Sequence, residues 1–206
     1  MTRCTKANRR LFLRDSLLVT TGACAGALVP ALLKEQFFLS AHADDRTPRE
    51  SFEQRLRDLG LELPPQAKPV AVYVPAVVTA NLLFTAGHIP RSRDGALIQG
   101  RIGDDLTLDE GADAARLVAL HVLSTVRGTL GTLDRVVRLV KVLGMVNCTP
   151  DFTQQPQVVN GFSELMVQVF GEEAGKAARS AVGMGSLPLN VPVEIEAVFE
   201  IIPSEK

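Results

Sequence analysis

Two periodicities of hydrophobic and polar residues divide the chain into predicted strands and helices. Residues 136–146 form a long β-branched run that is apolar on both alternating phases apart from Arg138 and Lys141, which predicts an internal strand. Shorter β-rich stretches, bounded by Gly, Pro and Asn, predict further strands. These strands cover 70–78, 82–89, 96–99, 180–184 and 193–201, and the first two are joined by a turn at 79–81.

Residues with a helical period separate these strands at two places. Thr107 and Glu110 have the spacing of a capping box, so the first long helix is predicted to begin there and to end near Arg127, before two glycines. A second helix is predicted over 157–170, with its apolar residues on one side. A short charged helix at 48–59 precedes the first strand.

The predicted order β-β-β-α-β-α-β-β indicates an α+β sandwich, with two helices on one face of a mixed β-sheet. The other sheet face would then lack a covering layer. Because a bare apolar face is uncommon on a monomer, we expect a homo-oligomer.

Composition favours one compact domain with an additional N-terminal segment. The chain has 206 residues, is 46% hydrophobic and carries a formal net charge of −1. The basic residues are unevenly distributed, because residues 44–206 contain 16 Lys or Arg against 21 Asp or Glu. An acidic body with one Tyr and no Trp is a poor candidate for binding nucleic acid, which requires clustered basic side chains.

The basic N-terminus has the three parts of a secretory signal peptide. Residues 8–14 (NRRLFLR) are charged, residues 16–33 are moderately apolar, and Ala-His-Ala follows at 41–43. The paired arginines resemble the twin-arginine type, so we expect a periplasmic or exported protein that is cleaved after Ala43. The alternatives are an uncleaved N-terminus and lipid attachment at Cys24, although the usual upstream Leu is missing there.

The predicted organisation therefore has three parts. Residues 1–43 form the signal, residues 44–68 an N-terminal helix and linker, and residues 69–206 the main domain. We expect no stable membrane span after the signal is removed, because its apolar stretch is interrupted by Thr, Gly and Pro.

The strongest chemical signal is Arg179 followed by Glu194, on two predicted strands that a short Gly/Pro connection joins. These strands are predicted to be adjacent, so the guanidinium and carboxyl groups can grip a substrate carboxylate and activate a water beside it. The alternative is a structural ion pair between the same two residues.

Three segments carry a resemblance to a known family. Residues 83–90 (LFTAGHIP), 178–182 (ARSAV) and 193–197 (VEIEA) resemble signature regions of the reactive-intermediate-deaminase (Rid/YjgF) family. The resemblance covers about residues 60–202, and the sequence is most similar to a divergent branch of this family. It implies a chorismate-mutase-like fold and a homotrimer with active sites between subunits.

The resemblance also implies roles for individual residues. Arg179 would hold the substrate carboxylate, and Glu194 would activate water for attack on an imine carbon. The backbone at Gly87 and Ala181 would line the pocket, and Tyr73 would close it from the neighbouring subunit. His88 adjoins the pocket glycine and is a further candidate substrate contact. No metal or organic cofactor is required, because an imine is already electrophilic.

Three functions remain open at this stage. The first is hydrolytic deamination of enamine or imine carboxylates to 2-keto acids and ammonia. The second is non-catalytic binding of small carboxylates by a periplasmic trimer. The third is RNA cleavage, which the acidic body and the export signal disfavour.

Overall fold

A computed structural model of the chain describes residues 50–66 and 72–203, so the predicted signal segment lies outside the described residues. The described elements are α1 (Phe52–Asp58), β1 (Ala76–Thr79), β2 (Leu82–Thr85), α2 (Leu108–Leu130), β3 (Val136–Asn147), α3 (Gln155–Gly175), β4 (Ala178–Met184) and β5 (Val193–Ile201).

The five strands form one mixed sheet in the order β1-β2-β5-β3-β4. β3 and β4 are parallel, and the other neighbouring pairs are antiparallel. The helices α2 and α3 pack together and cover one face, where the buried side chains of β3 and β5 meet them. The α+β prediction is therefore confirmed, as is the internal position of β3.

The predicted strand at 96–99 is wrong. Its extended backbone makes only an isolated bridge, between Arg91 and Leu97. Gly95 and Gly100 on either side have φ values of 89° and 134°, which turn the chain out of the strand conformation.

α2 begins as its capping box predicts. The Thr107 side chain accepts from the backbone N–H of Glu110, and the Glu110 carboxylate accepts from the backbone N–H of Thr107. The helix passes through Gly128 and ends at Gly131, whose φ of 84° allows its N–H to reach the carbonyl of Arg127.

A glycine contact sets the spacing between α2 and α3. A β-carbon at position 161 would lie 2.0 Å from the carbonyl oxygen of Ala112, so only glycine permits this approach. α3 is interrupted at Gly171 (φ 79°, ψ 171°) and then leads directly into β4. The helix is therefore the crossover that brings β4 back beside β3.

α1 packs on the same core as the longer helices. Ser51 caps its N-terminus, and the Phe52 ring meets the Phe170 ring edge-on at 4.9 Å between centroids. The helix is shorter than the predicted range of 48–59, and the division at residues 44–68 and 69–206 stays a prediction.

The second sheet face carries apolar side chains that no element of the described chain covers. The exposed apolar residues on this face include Val77, Phe84, Val182 and Met184. Across residues 50–66 and 72–203, none of the helices combines the length and the apolarity that a membrane crossing requires.

Candidate functional site

The Glu194 carboxyl group lies directly over the α-carbon of Gly87. A β-carbon at position 87 would be only 1.9 Å from Oε1 of Glu194. The contact forms because His88 and Ile195 exchange two backbone hydrogen bonds, of 2.8 and 3.0 Å, which align residues 86–88 with β5. The glycine thus makes room for an acidic side chain on the open face of the sheet.

Partial burial changes the acidity of this group. Removal from water, and secondarily the charge of Glu196 two positions along the same face of β5, raises the pKa of Glu194 above its ordinary value. A carboxyl group with a raised pKa is better suited to accepting and returning a proton than an ordinary one.

His88 faces the helix side of the sheet and is 7% exposed. Its Nδ1–H donates to the carbonyl of Ala86, and its Nε2 accepts from the Thr125 hydroxyl, both at 2.8 Å. Burial lowers the pKa of His88, which is consistent with a neutral ring. Both ring nitrogens are therefore already bonded within the protomer.

Tyr73 lies at the edge of a cavity of about 460 Å³. Gly87, His88 and Leu189 contribute to the same walls, and Tyr73 is about half exposed at 49%. The structure therefore brings together three of the sequence-predicted residues, and Glu194 adjoins them through Gly87.

Arg179 occupies a different part of the protomer. Its Nη1 donates to Oδ1 of Asn160 at 2.9 Å and to Oγ of Ser163 at 3.1 Å. Both acceptors are on α3, and the strand partner of Arg179 is the buried residue Val142. The arginine therefore lies on the helix side, where it helps to line a shallow cavity of about 310 Å³.

The prediction that Arg179 and Glu194 lie on adjacent strands is wrong. β3 separates β4 from β5, and Glu194 pairs with Met145 while Arg179 pairs with Val142. Since Val142 and Met145 are an odd number of positions apart, the two functional candidates point to opposite faces. The protomer itself therefore does not form the predicted ion pair. Ala181 lies two residues beyond Arg179 and packs partly against the core.

Comparison with known proteins agrees with the fold and with the sequence signatures. Residues 53–200 match the family model described as "YjgF/chorismate_mutase-like, putative endoribonuclease". This chain belongs to the YjgF/chorismate mutase-like family.

Individual relatives are similar over most of their length. Protein TCP17 of Trypanosoma cruzi is 44% identical over 146 residues, which is 71% of this chain and 91% of the relative. The crystal structure of Atu1372 from Agrobacterium tumefaciens, a protein of unknown function, is 39% identical with a TM-score of 0.67 and covers 75% of this chain and 96% of that one. A crystal structure from Shewanella oneidensis MR-1 is 30% identical with a TM-score of 0.70, and the match covers 73% of this chain and 99% of that one.

Asn160 and Ser163 are functional candidates of this YjgF-family protein that the sequence analysis missed. They are three residues apart, so they share one face of α3 and together orient the Arg179 guanidinium. Their polar character on a helix otherwise rich in buried apolar residues was the available signal. This polar pattern does not identify Arg179 as the partner of Asn160 and Ser163, because the pairing depends on where β4 returns to the sheet.

The described part of the family domain offers no preassembled metal centre. Within residues 50–66 and 72–203, no three His, Cys, Asp or Glu side chains are grouped so that they could hold an ion. The groups available for chemistry are the Glu194 carboxyl, the Arg179 guanidinium and the backbone around Gly87.

Proposed function

We propose that this protein hydrolyses small enamine or imine carboxylates to 2-keto acids and ammonia, in sites between the subunits of a homotrimer. The main support is the Glu194 carboxyl group, which has a raised pKa and is seated against Gly87 on an uncovered sheet face. Membership of the YjgF family and the match of Arg179 and Glu194 to its signature segments add to this support.

The proposed site requires two protomers. Within one protomer, Arg179 and Glu194 lie across β3 from each other and on opposite faces. Only a neighbouring copy can place one beside the other without rearranging the sheet. The exposed apolar side chains of the open face, such as Phe84 and Val182, provide a surface for that neighbour.

In the reaction, Arg179 binds the substrate carboxylate through its planar guanidinium. Asn160 and Ser163 engage only Nη1, and among the described residues nothing else accepts from this guanidinium, so its remaining donors are available to the substrate. Glu194 accepts a proton from water as the oxygen attacks the imine carbon, and the electron pair of the C=N bond moves to nitrogen. Glu194 then returns this proton to the nitrogen, which gives a carbinolamine. Glu194 next transfers the proton of the new hydroxyl group to the nitrogen, so that the C=O bond forms as the C–N bond breaks, and a 2-keto acid and ammonia leave.

The N-terminal leader adds a proposal about location. Its paired arginines and Ala-His-Ala site favour an exported, periplasmic protein. Edman sequencing of periplasmic material tests this proposal, since cleavage after Ala43 leaves Asp44 as the first residue. Full-length protein confined to the cytoplasm would overturn it.

Activity is tested by trapping the substrate. An imine generated in situ by an amino-acid oxidase is captured by semicarbazide, and an active deaminase reduces the captured fraction. We expect wild-type protein to reduce capture, and Arg179→Ala and Glu194→Gln to fail to do so. If wild-type protein leaves capture unchanged but binds the corresponding 2-keto acid in an Arg179-dependent way, the protein is a carboxylate binder and the enzymatic proposal fails.

Subunit complementation tests the shared site. Arg179→Ala and Glu194→Gln chains carrying different tags are co-expressed, and the mixed trimers are purified through both tags. In a cyclic trimer with one site across each interface, every mixed trimer has one intact site of three, so the purified mixed trimers should recover about one third of the wild-type activity. A random mixture before purification, in which about three quarters of the trimers are mixed, should recover about one quarter. If both residues served a site within one protomer, no mixture would regain activity.

A further inference from the structure

We propose that this protein binds an amphipathic monocarboxylate, an acyl chain with a single anionic head, in a second cavity beside α2. The cavity lies between residues 60–65, termed here the N-terminal strap, the loop at 91–93 and the outer side of α2. Its volume is about 520 Å³. Small-molecule sites in proteins occupy roughly 300–1,000 Å³, so the space suits a ligand rather than a solvent gap.

Apolar side chains from two elements form the body of this cavity. Leu117 and Leu120 project from α2, three residues apart on the side that faces away from the sheet. Leu61 and Leu63 of the strap contribute to the same walls. All four leucines remain partly accessible although the strap crosses the helix. An acyl chain would remove this apolar surface from water.

The strap is fixed in place by specific contacts. The Ser124 hydroxyl of α2 donates to the Pro64 carbonyl at 2.6 Å, and Arg93 forms an ion pair with Glu62. Consecutive prolines at 64 and 65 restrict the backbone at this point. The cavity is therefore held open between fixed walls, which lowers the entropic cost of filling it.

Arg91 supplies a cationic group at the mouth of the cavity. Its Nη1 donates to the Gly95 carbonyl at 2.9 Å, and no carboxylate of the described residues lies within ion-pair distance of it. Arg91 as a whole is only partly exposed, and its other guanidinium N–H groups have no acceptor in the described part of the chain. An anion from outside the chain would satisfy these donors.

The charges around the mouth favour a single negative charge on the ligand. Arg93 has an ion-pair partner in Glu62, whereas Arg91 has none among the described residues. His121 donates from Nε2 to the Arg91 carbonyl at 3.3 Å, and burial lowers its pKa, so the ring adds no second charge at neutral pH. One free cation beside apolar walls suits a monocarboxylate better than a phosphate dianion.

This cavity neighbours the one at Tyr73 and Gly87, and the two share the lining residues Pro64, Pro65, Arg91, Ser92, Arg93 and His121. Neither Arg179 nor Glu194 contributes to its walls. Failure of octanoate binding therefore leaves the deaminase proposal intact, because that proposal rests on Arg179 and Glu194.

Calorimetric titration of the full-length protein with octanoate, and with octanol as the matched uncharged chain, tests the proposal. We expect octanoate to bind once per protomer and octanol at least about tenfold more weakly. Arg91→Met, which keeps the length but removes the charge, should weaken octanoate binding by a similar factor. Arg116→Met is the control, because Arg116 lies on α2 but contacts Gln168 and does not line the cavity. Equal affinity for octanol, or an Arg91→Met variant that binds like wild type, would overturn the proposal.

Leu120→Phe tests the position of the acyl chain by filling the cavity, and should reduce octanoate binding. If this variant does not fold, amide chemical-shift mapping of wild-type protein replaces it. Octanoate should then shift the signals of Leu61 and Leu117, which line only this cavity, and leave those of Gly87, Glu194 and Arg179 in place. Shifts centred on Glu194 or Arg179, or a Leu120→Phe variant with unchanged affinity, would show that the ligand binds elsewhere and would refute the assignment.

Discussion

Gly87 and Glu194 form a contact that only glycine permits, because a β-carbon at position 87 would overlap the Glu194 carboxyl oxygen at 1.9 Å. The atom that would be displaced is at the end of a flexible side chain rather than in the backbone. The fold can therefore accept a larger residue at position 87 by moving the carboxyl group, whereas a site that depends on this carboxyl group cannot.

Gly87→Ala is expected to separate activity from stability. The thermal unfolding midpoint should stay close to that of wild type. Displacement of Glu194 should reduce the rate of imine hydrolysis by about tenfold or more, because a loss of only about 1.4 kcal/mol of transition-state stabilisation lowers a rate tenfold. Differential scanning fluorimetry and the semicarbazide assay measure the two effects. Gly185→Ala is the matched control, because a β-carbon there meets no atom within 4 Å. Unchanged activity in Gly87→Ala would show that the reaction does not depend on the position of the Glu194 carboxyl group.

The raised pKa of Glu194 predicts a pH-dependent cost to stability. In the unfolded chain this carboxyl group has an ordinary pKa of about 4.3, and in the folded protein its pKa is higher. At pH values between the two pKa values, the folded protein binds more protons than the unfolded chain. The contribution of Glu194 to the free energy of unfolding therefore falls as the pH rises through this range. Glu194→Gln should therefore unfold at a higher temperature than wild type at neutral pH, and the difference should disappear below about pH 4. Thermal unfolding at a series of pH values checks this, and a difference independent of pH would contradict it.

Glu196→Gln should shift the pH dependence of the reaction. The charge of Glu196 is the second cause of the raised pKa of Glu194, after burial. Removing that charge lowers the pKa of Glu194, so the acidic limb of the pH–rate profile should move to lower pH. An unshifted limb would show that a different group controls it.

Asn160 and Ser163 are expected to affect substrate binding more than the chemical step. Replacing either by Ala frees the Arg179 guanidinium to move, and KM should rise several-fold with little change in kcat, about 1 kcal/mol for each lost hydrogen bond. Asn160→Asp should raise KM further, because a fixed carboxylate would compete with the substrate for Arg179. Steady-state kinetics distinguishes these results from a general loss of structure, which would lower the amount of active enzyme instead.

Gly161→Ala is expected to destabilise the protein by forcing α2 and α3 apart. The new β-carbon would lie 2.0 Å from the backbone oxygen of Ala112, which cannot move unless α2 and α3 separate. Overpacking of this kind costs about 1–3 kcal/mol, and denaturant unfolding measures it. Gly185→Ala serves as the control here as well. A stability equal to that of the control would show that the two helices are not held at this spacing.

The sequence by itself determined the features that depend on neighbours along the chain. The capping box of Thr107 and Glu110 set the start of α2, and alternation of side chains gave the limits of β5. The signature segments around Gly87, Arg179 and Glu194 indicated the family correctly, because they require only residue types at fixed spacing.

Only the tertiary structure decided how those segments meet. The short connection between β4 and β5 suggested that these strands are adjacent. Within it, Leu189 and Asn190 adopt positive φ values of 57° and 54°. The backbone N–H of Asn147, the last residue of β3, donates to the carbonyl of Pro192 at the end of this connection. The connection therefore passes across the end of β3 and leaves that strand between the other two. Strand order depends on pairing between distant residues, which local periodicity does not encode. For this reason the sequence could identify Arg179 and Glu194, but not that they lie on opposite faces of one protomer.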